Sequence, residues 1–461
     1  ARRRSWLKHE GWLELGRGQT GDIGIRLLAA ALAASIAASL TGCGGGLLSS
    51  VKNPFSKEET KLPGERISAI PDSTTASIDA ASMRPVSMPM PRVNPAWSQP
   101  GGLPSNNPGH LALSDSVNKV WAADAGTGSS SRGRLSAVPL VADGKVYTLD
   151  AGGSVTAFAA SSGATLWSAN VTPKNEKKAE GFGGGLALDG GRLYATTGYG
   201  VVVALDPGNG AVVWTKQIGK PVRSSPTASS GKVYFVSADN VLHALSGSSG
   251  DELWRARGLP QPATILNNVS PAVSGGIVVA PFPAGDVTTF AAGSGERAWS
   301  ESLARSSEST EASNVLGDPA RPVIDRGVVF AVSHGGKMIA SSESTGERLW
   351  TRNIASTQMP WVAGDAVYVI DTSGRMHALS RSDGSVRWTA DLPQKGRWSG
   401  PIVAGNKAWA VSSEGLLVGV DARGGHLVTN LDLGTEVFVS PVVAGGRMYI
   451  LADNAQLIAL N

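Results

Sequence analysis

The chain has 461 residues, with 58 glycines, 26 prolines, six histidines and a single cysteine. Basic side chains outnumber acidic ones 41 to 37, and a pI near 9.1 raises nucleic acid as a partner. The excess is local: residues 1–42 hold six Lys/Arg against three Asp/Glu, which leaves 35 against 34 in the remainder. No basic stripe interleaved with aromatics remains to follow a phosphate backbone, so nucleic-acid binding is set aside.

The first element in chain order is an apolar run, Leu27 to Leu40. It is too short to span a bilayer and suits the hydrophobic region of a signal peptide. It ends in Leu40-Thr41-Gly42-Cys43, which resembles the bacterial lipobox, where the cysteine is acylated and the peptide is cut just before it. Residues 1–42 therefore read as a lipoprotein signal peptide and Cys43 as the lipidation site. Two or three acyl chains, at about 0.8 kcal/mol per buried CH₂, anchor stably where one does not. Gly44 in place of Asp follows the sorting pattern of outer-membrane lipoproteins. Residues 1–24 make the leader unusually long and read as an over-extended start. The run Arg3-Arg4-Ser5-Trp6-Leu7-Lys8 leaves twin-arginine export as the lesser alternative.

From Cys43 to His110 the sequence is rich in Pro, Ser, Gly and Met without a sustained period, as in Met88-Pro89-Met90-Pro91. Such a composition reads as a flexible tether, with a coil span on the order of 45 Å. Leu62-Pro63-Gly64-Glu65-Arg66-Ile67 and Trp97 interrupt it and read as docking points.

Beyond it one spacing recurs, Ala-x5-Gly-x3-Trp: Ala157/Gly163/Trp167, Ala204/Gly210/Trp214, Ala244/Gly250/Trp254, Thr289/Gly295/Trp299, Ala340/Gly346/Trp350, Ala378/Gly384/Trp388 and Gly419/Gly425/Thr429. A proline stands eighteen residues before most anchors: Pro139, Pro226, Pro271, Pro322, Pro360, Pro401 and Pro441, with Leu186 in the second repeat. A fixed core with variable spacers marks a repeat architecture. The proline opens a strand where its missing N–H is tolerated. Pairs such as Asp143-Gly144 and Ser230-Gly231 make the first hairpin turn, the Gly makes a later one, and a fourth strand ends on Trp. Four antiparallel strands in about 40 residues read as a β-propeller blade.

The last unit reaches Ala459 without a fourth strand, while Ser116–Trp121 precedes the first unit without a blade. Joined, they complete one blade and remove the open edges of the ring. The expectation is all-β, an eight-bladed propeller over residues 111–461 closed by an N-terminal strand near Trp121. The tryptophans 121, 167, 214, 254, 299, 350 and 388 are expected to dock each blade on its neighbour.

The blade type, best seen in Ala204-Leu205-Asp206…Gly210…Trp214, resembles the repeat of pyrroloquinoline-quinone (PQQ) proteins. Two groups share it: the PQQ dehydrogenases and the BamB lipoproteins of the outer-membrane β-barrel assembly machine. Lipobox, tether and eight blades together resemble the BamB family. That resemblance implies a non-catalytic scaffold lipoprotein on the periplasmic face of the outer membrane. It implies as partners the periplasmic domains of the barrel-inserting subunit, BamA, and unfolded barrel precursors. In the family these contacts come from two adjacent connectors. Here the matching spacers are the 17 residues from Trp254 to Pro271 and the 23 from Trp299 to Pro322. Carried over, the contacts fall on Ile265 and Leu266 in one and on Asp318 and Glu311 in the other. Leu266 departs from the family, which has a basic residue there.

The alternatives are a PQQ-dependent oxidoreductase and a lipoprotein adaptor for another envelope complex, since propellers host many functions. The dehydrogenases need Ca²⁺ held by several oxygen ligands and an adjacent cysteine pair over the quinone. No cysteine follows Cys43, and the acidic residues of the repeats sit at turn positions such as Asp143, Asp206 and Asp383. No catalytic residue, metal site or cofactor is expected. His243 and His377 occupy the same slot in separate blades and read as solvated strand positions. No P-loop or nucleophile elbow is present.

Overall fold

The computed structural model describes residues 85–461 apart from 132, 178–179, 182, 259–268, 283–284 and 304–319. Its strands form eight four-stranded antiparallel sheets, the blades of one β-propeller. Seven are built from consecutive strands: blade 1 spans 140–170, blade 2 184–217, blade 3 227–257, blade 4 272–302, blade 5 323–352, blade 6 361–391 and blade 7 398–432. Blade 8 takes its three inner strands from 442–460 and its outer strand from Lys119–Asp124. There Trp121 pairs with Ala459, the register of Trp167 on Ala157 or Trp214 on Ala204. The ring is closed as the half-blades at the two ends of the repeat array require.

The repeat spacing follows from one turn. In blade 1 the strand carrying Ala157 ends with Gly163 N–H donating to Ala159 O at 2.8 Å, and Ala159 N–H to Ala164 O at 2.8 Å. Gly163 takes φ +75°, the left-handed region that costs a side chain about 1–2 kcal/mol. A register shift follows Ala157, so three residues after the glycine bring Trp167 opposite the alanine. The same shift sits beside Ala204, Ala244, Thr289, Ala340, Ala378 and Gly419.

Each tryptophan ring lies against the glycine turn of the next blade. A Cβ on Gly163 would stand 2.6 Å from Trp121, and one on Gly210 2.5 Å from Trp167. Trp214, Trp254, Trp299, Trp350 and Trp388 lie likewise on Gly250, Gly295, Gly346, Gly384 and Gly425. The indole N–H also donates across the seam, from Trp167 to Pro207 O at 3.1 Å and from Trp214 to Gly247 O at 2.9 Å. The same carbonyls accept a second bond from Tyr147 and Tyr194, both at 3.2 Å. Tyr234 with Trp254 and Tyr368 with Trp388 repeat the clamp on Ala292 O and Ala422 O. Burial pushes the Tyr147 and Tyr234 hydroxyls up to about 12, so they remain protonated donors at neutral pH. Burying each ring stabilises a seam by roughly 1.5–3 kcal/mol, less where the indole is only half-covered.

The segment expected as the distal part of a flexible tether is folded onto the ring instead. Residues 85–111 form a strap along the innermost strands. From Asn94 onward it visits the blades in ring order. Gly445 of blade 8 donates to Asn94 O at 2.7 Å, and Trp97 and Val141 of blade 1 exchange bonds at 2.6 and 2.9 Å. The Gln99 side chain donates to Leu188 O of blade 2 and accepts from Ala228 N–H of blade 3, both at 2.9 Å. Val273 of blade 4 donates to Pro104 O and Ile324 of blade 5 to Ser105 O. Trp361 of blade 6 donates to Gly109 O at 2.9 Å, and Leu111 donates to Val403 O of blade 7 at 3.1 Å. The strap then meets its own start, with Arg92 donating to His110 O and Ala112 to Arg92 O. Inner edges that would otherwise expose backbone donors and acceptors are thereby paired. Trp97, 1% exposed, anchors the strap by stacking on Trp361 with centroids 6.0 Å apart.

Gly210→Ala is expected to lower stability by about 2–5 kcal/mol, from backbone strain plus the clash with Trp167. Gly231→Ala, at φ +72° with nothing within 4 Å, should lose only about 1–2 kcal/mol, as read from urea midpoints. Trp97→Ala should cost about 3–5 kcal/mol. The Trp97 Nε1–H finds no acceptor among the described residues, so Trp97→Phe should cost under about 2 kcal/mol. A Trp97→Ala midpoint equal to the wild type would mean that the strap adds nothing to stability.

Candidate functional site on the connector face

Each blade runs inward to outward in the same sense, which gives the ring two unlike faces. On one lie the first and third turns of every blade, held together by bonds such as Ala160 N–H to Gly144 O and Gly247 N–H to Gly231 O, both at 2.8 Å. The strap runs on this side. Val86 donates to Arg423 O and Ser87 exchanges bonds with Asp365, so the strap begins on the turn face. On the opposite face the connectors pass from each outer strand to the next inner one.

A cavity of about 400 Å³ opens on the connector face along the ring axis. All eight blades supply its wall from the residues at the start of their inner strands, among them Val138, Gly183, Arg223, Val269, Arg321 and Pro441. The stacked pair Trp97 and Trp361 belongs to its lining, so the strap stops the channel from within. The other aromatic lining residue among those described is Phe438, which is 40% exposed.

The proposed partner contacts Ile265, Leu266, Glu311 and Asp318 lie outside the described residues, as does Cys43. Their connectors can be located by their ends. The first leaves blade 3 at buried Gly258 and rejoins at Val269; the second leaves blade 4 at buried Leu303 and rejoins at buried Ala320. Val269 and Arg321 both line the cavity mouth, so both of these connectors rejoin the ring at its rim. Sequence spacing identified these connectors but gave no sign of the cavity beside them. Its lining residues are spread over the chain, and only closure of the ring brings them together.

The two equivalent histidines are not solvated. His243 is 6% and His377 8% exposed. His243 lies between the Ser237 hydroxyl and the Glu252 carboxylate, both at 3.1 Å. Its burial lowers its pKa, which keeps the ring neutral near pH 7 despite Glu252. His377 sits 2.9 Å from both Asp371 and Thr389. Burial disfavours the Asp371 carboxylate, but bonds from His377, Ser373 and the Arg375 backbone outweigh it and hold the group well below its usual range. Pairing across a half-covered strand buries both rings, because each has a partner for both nitrogens within its own blade. Among the described residues no group of three or more His, Cys, Asp or Glu is placed to hold a metal ion.

The sequence matches the model of the family described as outer membrane protein assembly factor BamB over residues 92–176, 151–390 and 387–461. Similar proteins include the outer membrane protein assembly factor BamB of Yersinia pestis, 26% identical over 351 residues, 75% of this chain and 88% of that protein. That of Escherichia coli strain K12 is 26% identical over 328 residues, 70% of this chain and 83% of that protein. Among solved structures, BamB from Moraxella catarrhalis superposes with a TM-score of 0.64 at 17% identity, over 75% of this chain and all of that one. The quinohemoprotein alcohol dehydrogenase of Comamonas testosteroni gives 0.63 at 13% identity, over 79% of this chain and 80% of that one. Both structural likenesses speak to the fold alone. The repeat-by-repeat sequence match runs through every blade, and on it the chain belongs to the family of outer membrane protein assembly factor BamB.

Proposed function

We propose that this chain is a non-catalytic scaffold of outer-membrane protein assembly. In this reading it is lipid-anchored through Cys43 on the periplasmic face of the outer membrane. Its connector face holds the periplasmic domains of a BamA-like barrel-inserting subunit and assists insertion of unfolded barrel precursors. The observation that carries the reading is the family match across the whole ring. Long connectors on a rigid frame are where recognition is commonly carried. Ile265, Leu266, Glu311 and Asp318 are the proposed contacts.

The quinoprotein alternative fits the cavity poorly. Calcium is held by six to eight oxygens, several of them carboxylates. Among the described residues the lining offers three arginines and no Asp or Glu. The described lining thus offers calcium no carboxylate ligand, which favours the scaffold reading over a dehydrogenase.

Affinity capture of the full-length lipoprotein from solubilised outer membranes is expected to recover a barrel-inserting subunit. Its absence, with the bait intact, would reject the proposal. Asp318→Lys combined with Ile265→Trp should reduce capture at least about tenfold. Unchanged capture would move the contact off these connectors. Titration with PQQ and Ca²⁺ should give neither a quinone absorbance shift nor dye reduction.

A further inference from the structure

One crossing holds the strap closed on itself. Arg92 N–H donates to His110 O at 3.0 Å and Ala112 N–H to Arg92 O at 2.7 Å, so the loop ends where it began. At that crossing Leu111 bridges both Arg92 and Ala404 of blade 7. The His110 side chain, 3% exposed, lies in the same crossing. Its Nδ1 stands 2.8 Å from Pro89 O, and its Nε2 accepts the Asn406 N–H at 3.2 Å. A carbonyl can only accept and a backbone N–H can only donate, so the ring has to be neutral, with its proton on Nδ1. It thereby joins the start of the strap to the first turn of blade 7. The stretch it holds has little else. Pro89 and Pro91 bring no N–H, and Met90 is 89% exposed. Among the described residues the other bond to residues 88–91 is the Tyr368 hydroxyl on the Met88 sulfur, at 3.5 Å.

A second proton on this ring would sit on Nε2 and point at the Asn406 N–H, donor against donor in a buried place. The charged groups on the neighbouring elements do not relieve it. Arg423 of blade 7 repels a positive ring. Arg92 is engaged on Pro108 O, and Lys407, beside Asn406, on Asp115 O. Asp365 of blade 6 is held by Ser87, and Asp421 of blade 7 by the Arg423 and Gly424 amides. Among the described residues no carboxylate bonds the ring. Burial lowers the His110 pKa; the Pro89 bond opposes this and Arg423 adds to it.

We propose that His110 is a pH-sensitive latch on the strap. Its neutral ring ties the start of the strap to its end and to blade 7, and protonation releases residues 88–92 from the turn face. The closed strap holds a ring whose pKa lies below the ordinary 6.5, and the released ring returns to that value. The latch is therefore at full strength above about pH 6.5 and weakens progressively as the pH falls from there.

Hydrogen exchange on the full chain, with each rate divided by its intrinsic rate, tests this at about pH 7.5 and about pH 5. Protection in the peptides holding Arg92, Ala112 and Asn406 is expected to fall at least about threefold at the lower pH. Gln keeps an acceptor for Asn406 but does not titrate, so His110→Gln should show equal protection at both values. His110→Ala should be open at both. No drop in the wild type, or an equal drop in His110→Gln, overturns the latch. The His110 ring resonances give a second reading by NMR, with a midpoint expected below 6.5. A midpoint at or above 6.5 overturns the proposal, because protonation would then not loosen the strap. Should either variant fail to fold, as judged by far-UV circular dichroism, the other variant and the ring titration decide.

Discussion

An indole laid across a neighbour's glycine turn is the contact on which this ring depends. A flat sheet cannot close a circle by backbone hydrogen bonds, because adjacent blades face one another and do not pair strand to strand. What joins them is side-chain burial plus one carbonyl that takes donors from two rings. The arrangement fixes several residues at once. The receiving turn must be glycine, for its positive φ and because the ring occupies the space of a Cβ. The residue opposite the tryptophan must be small. The second donor varies between blades. Blade 8 keeps Tyr449 opposite Ala459, but the Arg447 guanidinium is what reaches the Ala160 carbonyl, at 2.7 Å, beside the Trp121 indole. Blade 5 has Phe330 in the phenol position, with the Arg381 side chain 5.9 Å from its ring centroid.

The one seam without this tryptophan explains itself in the same terms. Thr429 stands at the indole position of blade 7. The blade it would reach has no turn there, because its third and fourth strands come from opposite ends of the fold and their ladder ends with Asn118 and Asn461 exchanging bonds at 3.0 and 2.9 Å. No glycine waits to receive a ring. Blade 7 instead carries Trp409 two strands further in, fully buried against Gly419 and donating to Ala404 O.

The blades and their closure were legible because the constraint recurs at fixed intervals. Ala, Gly and Trp each answer to one geometric need, and the need is met seven times. The strap was not legible, for the opposite reason. Its bonds are made mostly by backbone and by lone side chains such as Asn94, Gln99 and Asn106, each to a different blade. A chain turning along eight inner edges has no period, and its prolines and glycines resemble those of a coil. Trp97 was the one visible trace. The cavity was hidden likewise, since the residues that line it are far apart in sequence and come together only when the ring closes. His243 and His377 misled because alternation assigns a face, while burial depends on the partners across it. The connector residues Ile265, Leu266, Glu311 and Asp318 rest on spacing and family resemblance.

The strap also decides how the molecule responds to force. A pull along the polypeptide from the side of residue 84 arrives first at Val86 and Ser87, then at Arg92, before it can reach any outer strand. Beyond Arg92 the same thread is bonded to one blade after another around the axis, so load is shared among many short attachments loaded one at a time, as in peeling tape. The outermost strand of blade 8, whose detachment would open the circle, lies downstream of all of them. A hook in series with its own clasp protects the clasp: tension that would tear a simple ring at its joint is spent unpicking the inner thread.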